Sequence, residues 1–277
     1  MTLRLWQLAA AVIAGLAVST AGTAGDLTLD GELTQGGFVI GRTLPGSTVT
    51  VTGRRVRVSE DGVFLLGFGR DAANTVDLTI RHADGRKTER ELAVSKRKYK
   101  ISRVDGLPES KVSPPPEDLR RIKEDNAKIA NVRKLDTAET FFQSGFVWPV
   151  TGRLSGIYGS QRILNGKPRS PHNGIDVAAP KGTPVAAIAN GRVALTHDGM
   201  FLTGKTVMID HGHGLTSVYI HMNQITVKSG DVVSQGQQIG TIGMTGRATG
   251  PHLHWGVSLF KTHLDPALLV GSMPEGN

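Results

Sequence analysis

The sequence predicts a mainly β chain: a small N-terminal β-sandwich, a helical linker, and a C-terminal antiparallel β domain. Three observations carry this expectation. Short runs of alternating apolar and polar residues recur along most of the chain. Glycine is abundant, at 35 of 277 residues, while aromatics make up only 5%, which favours short strands and tight turns over long helices. A helical period runs through one segment, 112–137, between the two β-rich stretches. Hydrophobic content of 39% leaves enough apolar side chain for a real core.

The first 24 residues read as an export signal. Arg4 gives a charged start, an apolar run extends from about Leu8 to Val18, and small residues offer cleavage after Ala21 or Ala24. The run is short for a membrane span, so the expected product has no transmembrane segment after signal cleavage and lies in the periplasm or cell envelope. Cysteine is absent, which removes both disulfides and a lipid-anchoring cysteine. The formal charge of +8 suits anionic surfaces such as cell wall or lipid headgroups. Nucleic acid does not fit: the chain has an export signal and lacks a basic stripe interleaved with aromatics.

Residues 26–95 read as an Ig-like β-sandwich module. "STVTVTGRRVRVSEDGVFLLGF" alternates, and Glu60-Asp61-Gly62 and Ala83-Asp84-Gly85 are turn signals. The module holds no cluster of ligand-type residues, and its His82 reads as a lone exposed histidine, so its role is binding or spacing. Residues 96–141 form a basic linker and helix. "SKRKYKISRVDGLP" reads as a solvated face. In the helix that follows, Pro116 suits the first turn, and Glu117 and Asp118 complement the dipole. Its apolar stripe of Leu119, Ile122, Ile129, Val132 and Leu135 must bury against a neighbouring domain or a partner. An envelope protein is the expected partner class, through the helix or the N-terminal module. The helix also stands where it could cover a groove of the next domain.

Residues 142–277 return to short strands with glycine turns, and here the chemistry concentrates. The chain has nine His. "HNGID" places His172 and Asp176 four apart, a spacing that converges in extended chain as in helix. "GPHLHWGV" reads as a strand, so His252 and His254 face one side and Leu253 and Trp255 the other. "SVYIHMN" is another strand, with His221 opposite Ile220 and Met222 and on the side of Tyr219, which either orients substrate or packs. "IDHGHGLT" offers His211 and His213 in the same i, i+2 form, but Gly212 and Gly214 mark a hairpin connection, so both read as turn residues. His197 and His263 read as turn or surface residues. His and Asp are good zinc ligands, and there are more candidates here than a closed structural site needs.

"HNGID", "YIHM" and "GPHLHWGV" resemble the motifs of the lysostaphin-type (LytM) zinc metallopeptidases, which cut peptide bonds in peptidoglycan. The likeness runs from about Phe146 to Leu264 and includes "GDVVSQGQQIGTIGMTGRATG". It implies that His172, Asp176 and His254 are zinc (Zn2+) ligands, that His252 stands beside the metal as a catalytic group, and that His221 is its partner. It further implies a zinc metalloendopeptidase acting on peptidoglycan peptide stems, with the two histidines moving protons near working pH. The alternative is a non-catalytic peptidoglycan-binding scaffold or amidase activator of the same fold. Intact residues at all five positions favour the enzyme.

Overall fold

Seven strands take up the N-terminal alternation: β1 (Leu27–Gly31), β2 (Phe38–Thr43), β3 (Thr48–Val51), β4 (Arg54–Val56), β5 (Val63–Gly67), β6 (Thr75–Arg81) and β7 (Lys87–Ala93). The computed structural model describes residues 26–105 and 116–274; the expected signal over 1–24 and the helix entry at 112–115 lie outside them. The strands form two sheets, β1-β2-β5 and β4-β3-β6-β7. Val39, Phe64 and Leu66 of the first meet Val49, Leu78, Ile80 and Leu92 of the second in one apolar cluster. The expected turns at 60–62 and 83–85 fall between β4 and β5 and between β6 and β7. His82 is not exposed. It continues the inward side of Leu78 and Ile80 with period two and is buried, its Nδ1 3.1 Å from Ser47 Oγ and its Nε2 3.0 Å from Thr88 Oγ1.

The basic stretch is a solvated face at Lys96, Lys98, Lys100 and Arg103, which are exposed, but Arg97 and Tyr99 are half-buried and its strand is paired. Its strand β8 (Ile101–Val104) adds to a C-terminal hairpin. Upstream, Arg97 pairs at 2.8 Å with Asp265, whose side chain is only 6% exposed. Tyr99 packs edge-on to Tyr158, with the Arg70 guanidinium over its ring. The linker helix α1 spans Pro116–Val132. Its buried stripe is narrower than expected: Ile129 and Val132 are buried, whereas Leu119 is 50% exposed. Burying each of the two apolar side chains stabilises the helix by about 1.5–3 kcal/mol.

A 3-10 turn (Phe141–Ser144) leads to β9 (Arg153–Gly156), β10 (Gln161–Leu164), β11 (Lys167–Pro168), β12 (Ile175–Ala178), β13 (Pro184–Ala186), β14 (Gly191–Met200), β15 (Gly204–Gly212), β16 (Leu215–Ile225), β17 (Val232–Val233), β18 (Gln238–Ile242), β19 (Leu253–Leu259), β20 (Thr262–Leu264) and a short α2 (Ala267–Val270). β8 pairs in parallel with β10, which pairs with β11. The backbone groups of β8 are thus met by a sheet edge instead of water. The main sheet runs β17-β14-β15-β16-β19-β12-β9, with β13, β18 and β20 alongside, and its pairings are antiparallel.

This sheet has two different faces. Val207, Ile209, Tyr219, Leu253, Trp255 and Val257 point into the main core, which the N-terminal strands enter through Phe38, Val63 and Leu65. On the other face Met200, Met208, Val218 and Ile220 lie against Ile129 and Val132 of α1. The helix is held over β14–β16 by polar contacts too: Asp125 accepts from the Phe201 N–H at 2.8 Å, and Arg121 donates to the Gly199 carbonyl at 2.7 Å. It covers these strands and leaves β19 and β12 outside its apolar contact.

The look-alike pair separates. His213 has φ +51 and sits in the β15–β16 turn as expected. His211 does not: it belongs to β15, is fully buried, and lies 2.7 Å from the Asn190 carbonyl and 2.8 Å from Ser217 Oγ. Burial pushes its pKa from the ordinary 6.5 down to about 4. The unfolded chain takes up this proton first, so stability is complete above the unfolded value and falls as pH drops towards 4. His211 alone accounts for a loss of roughly 2–3 kcal/mol between pH 7 and 4.5. Urea unfolding at those two pH values should show a smaller drop for His211→Gln than for the wild type.

Candidate metal centre

Strand pairing builds the centre. In the β12–β19 ladder Asp176 stands directly opposite His254. His172 arrives from the loop before β12, its Nδ1 donating to the Ile157 carbonyl at 3.1 Å, which leaves Nε2 facing inwards. His172 Nε2 lies 3.1 Å from Asp176 Oδ1 and 2.9 Å from His254 Nδ1, and His254 Nδ1 lies 2.8 Å from the same carboxylate oxygen. Two glycines make room. A Cβ on Gly156 would strike the Asp176 carboxylate and approach the His172 ring, and one on Gly174 would strike the Trp255 carbonyl and the His254 ring.

The charges agree with the geometry. Burial works to raise the Asp176 pKa, but the two imidazole hydrogen bonds outweigh it and hold the carboxyl well below the usual range. Burial also pushes His172 down, and the bond to Asp176 with its negative charge reverses this, for a net rise. His254 stays lowered, chiefly by burial. Two ring nitrogens 2.9 Å apart and facing one carboxylate oxygen make a compact donor group that could hold a metal ion. Two imidazole nitrogens with one carboxylate oxygen form a donor set suited to Zn2+ with a position left open.

A second pair adjoins the first. The His221 and His252 rings are 4.8 Å apart between centroids. His221 Nδ1 donates to the Thr245 carbonyl at 2.7 Å, and His252 Nδ1 to the Gly250 carbonyl at 2.8 Å, so each keeps Nε2 as a free acceptor. Burial pushes His221 down to about 4, against the opposing effect of the Thr245 bond.

Simple alternation misplaces His221. Val218 and Ile220 lie on the α1 face, while Tyr219 and Met222 both lie in the main core. The alternation therefore slips at His221, whose φ is +63. This left-handed residue, and not period two, turns the imidazole towards His252. Tyr219 is not beside it but wholly buried, with its hydroxyl accepting from the Ile188 N–H at 3.0 Å. Leu253 and Trp255 are core residues, as the strand reading of "GPHLHWGV" requires. His197 is in β14 near its turn, 3.1 Å from Lys128 Nζ. His263 is in β20, a strand and not a turn. The carbonyls of Ile157, Thr245 and Gly250 escaped sequence reading because a backbone group leaves no residue-type signal.

The fold and this cluster define a peptidase. Residues 170–266 match the model of peptidase family M23. A crystal structure assigned to peptidase M23 from Pseudomonas aeruginosa superposes with a TM-score of 0.66 at 32% identity, over 87% of this chain and 96% of that one. The chain belongs to peptidase family M23. It is 48% identical over 86 residues to peptidoglycan DD-endopeptidase ShyA of Vibrio cholerae, covering 31% of this chain and 20% of the relative. It is 29% identical over 165 residues to the cell division protein DipM of Caulobacter vibrioides, covering 57% of this chain and 26% of the relative. The chain thus spans about a quarter or less of these relatives.

Removing a donor should empty the centre. Asp176→Ala and His254→Ala should each bind zinc at least about a hundredfold more weakly than wild type, since even residues that only support ligands cost 10–100-fold. His221→Ala should keep its zinc. Metal content after dialysis, measured by plasma mass spectrometry, checks all three.

Proposed function

We propose that the protein is a zinc endopeptidase that hydrolyses the peptide cross-links of peptidoglycan, exported to the periplasm or cell envelope. The observation that carries this reading is the convergence of His172, Asp176 and His254 beside the His221–His252 pair in an M23 chain. The DD-endopeptidase name of a relative supports the substrate class.

His172, Asp176 and His254 would hold the metal. Bound zinc would supply Lewis-acid polarisation of the scissile carbonyl and ease ionisation of the attacking water. The remaining work falls to the chain. Ile157 fixes the tautomer and tilt of His172, and the Asp176 carboxylate offsets the positive charge of the centre. No glutamate follows the ligands as a base, so His221 and His252 take that role at Nε2, receiving a proton from water and returning it to the leaving amine. Their Nδ1 bonds to Thr245 and Gly250 hold both rings in the accepting tautomer. Complete occupancy of the five positions supports an enzyme over a peptidoglycan-binding scaffold or amidase activator.

Purified sacculi test the reading. Mature protein with zinc should release muropeptides detectable by mass spectrometry, and a chelator should stop the release. No release from any of several sacculus types would sink the proposal. His221→Ala should retain its zinc and lose roughly 10²–10⁴-fold in rate, the usual size of a general acid–base contribution.

A further inference from the structure

A cleft of about 520 Å3 lies between the N-terminal module and the β19–β20 hairpin. Its wall includes Pro171 and Asn173, the residues on either side of His172. His263, another wall residue, stands opposite Ser258 of β19. Ser258 is four residues from His254 and shares its side of the strand, so this part of the wall belongs to the face that carries the metal centre. The separation is roughly 13 Å at the strand rise, a span that an extended peptide covers in about four residues.

Both lips of the cleft are hairpin turns with a left-handed residue that is not glycine. On the module, Thr52 has φ +43 and Gly53 φ +77, between β3 and β4. On the peptidase side Phe260 has φ +50, next to the wall residues Lys261 and Thr262. Phe260 has a packing reason for its place, since its ring lies against Gly214. Thr52 has none: its side chain is exposed at the lip, in a turn position that asparagine or glycine fills without strain. Residues kept in such conformations cluster where ligands are clamped. The wall itself is aliphatic with a cationic lip. Val51, Val76 and Pro171 are half-buried along it. Among the described residues the only carboxylate in the lining is Asp71, which is paired with Arg70 at 2.7 Å. That leaves the exposed Lys261 as the uncompensated charge, complementary to an acidic ligand.

We infer that this cleft is a substrate subsite: it takes an acidic stretch of the peptide a few residues from the bond that is cut, with Lys261 meeting a carboxylate and the Thr52 hydroxyl bonding the peptide backbone. This rests on the peptidase reading above and gives the N-terminal module a part in choosing the substrate. The aliphatic wall accepts the side chains of the peptide, and the cation at the lip distinguishes a carboxylate from a neutral carboxamide.

The test titrates an uncross-linked peptidoglycan stem tetrapeptide, and the same peptide with its carboxylates amidated, into the zinc-loaded full-length mature protein. The wild type should bind the acidic form about three- to fivefold more tightly, the size of one exposed ion pair. The backbone amide resonances of Thr52, Ala72 and Lys261 should shift as the acidic peptide is added. K261Q should bind the two forms equally while keeping its zinc content and melting temperature. A72W, which places an indole in the cleft, should lose binding of both forms. If A72W does not fold, K261Q and the wild-type resonances decide. Equal wild-type affinity for the two forms, a preference that survives in K261Q, a folded A72W that binds as the wild type does, or unmoved cleft resonances overturns the inference. Binding is read without turnover, so a protein that takes the peptide in the cleft yet releases no muropeptide fails the peptidase reading alone.

Discussion

The register between β12 and β19 is the constraint on which the centre depends. Asp176 opposes His254, Ile175 opposes Trp255 and Val177 opposes Leu253. Side chains alternate across a strand, so a slip of one residue would turn Asp176 into the core and bring Val177 out beside His254. The slip is prevented by the same residues that flank the ligands. Ile175, Val177, Leu253 and Trp255 are all almost fully buried, and exposing them would cost about 1.5–3 kcal/mol each. The hydrophobic pattern thus sets how Asp176 and His254 face each other. The glycines at 156 and 174 complete the arrangement by leaving room for the Asp176, His172 and His254 side chains.

Period two made part of this centre legible in the sequence. The side assignment of "GPHLHWGV" needs only alternation, and Leu253 and Trp255 in the core bear it out. The convergence of His172 with Asp176 needed only their spacing, because extended and helical chain both allow it. The slip at His221 was not legible. Any residue can be written into a strand by pattern, and a single left-handed residue that breaks the pattern carries no strong signal when it is not glycine. The same limit explains Tyr219, whose side depended on alternation continuing through His221. His82 and β8 failed for a different reason. His82 is buried with Ser47 and Thr88 as partners, β8 is paired to β10, and local composition does not contain those partners.

The N-terminal strands and the linker are not independent of the peptidase fold. Phe38, Val63 and Leu65 share its main core, Arg97 pairs with the buried Asp265, and β8 extends the β10–β11 hairpin. That hairpin ends just before the loop that bears His172. The linker therefore reaches the centre from one side through a strand, while α1 reaches it from the other by covering Val218 and Ile220 next to His254.

The backbone at His221 has a cost that the surrounding structure must meet. A non-glycine residue in the left-handed region is disfavoured by about 1–2 kcal/mol, and such residues persist where their neighbours over-determine them. Here the neighbours are specific. The His221 N–H donates to the Thr203 carbonyl, the ring donates to the Thr245 carbonyl, and Thr245 is itself tied to Met222 and to Lys205. Glycine would relieve the strain but remove the imidazole. The segment therefore keeps a histidine where local preference favours glycine, and the network around Thr245 holds it with its ring against His252. Strain at one position is thus accepted for a side chain that packs against His252 and not into the main core.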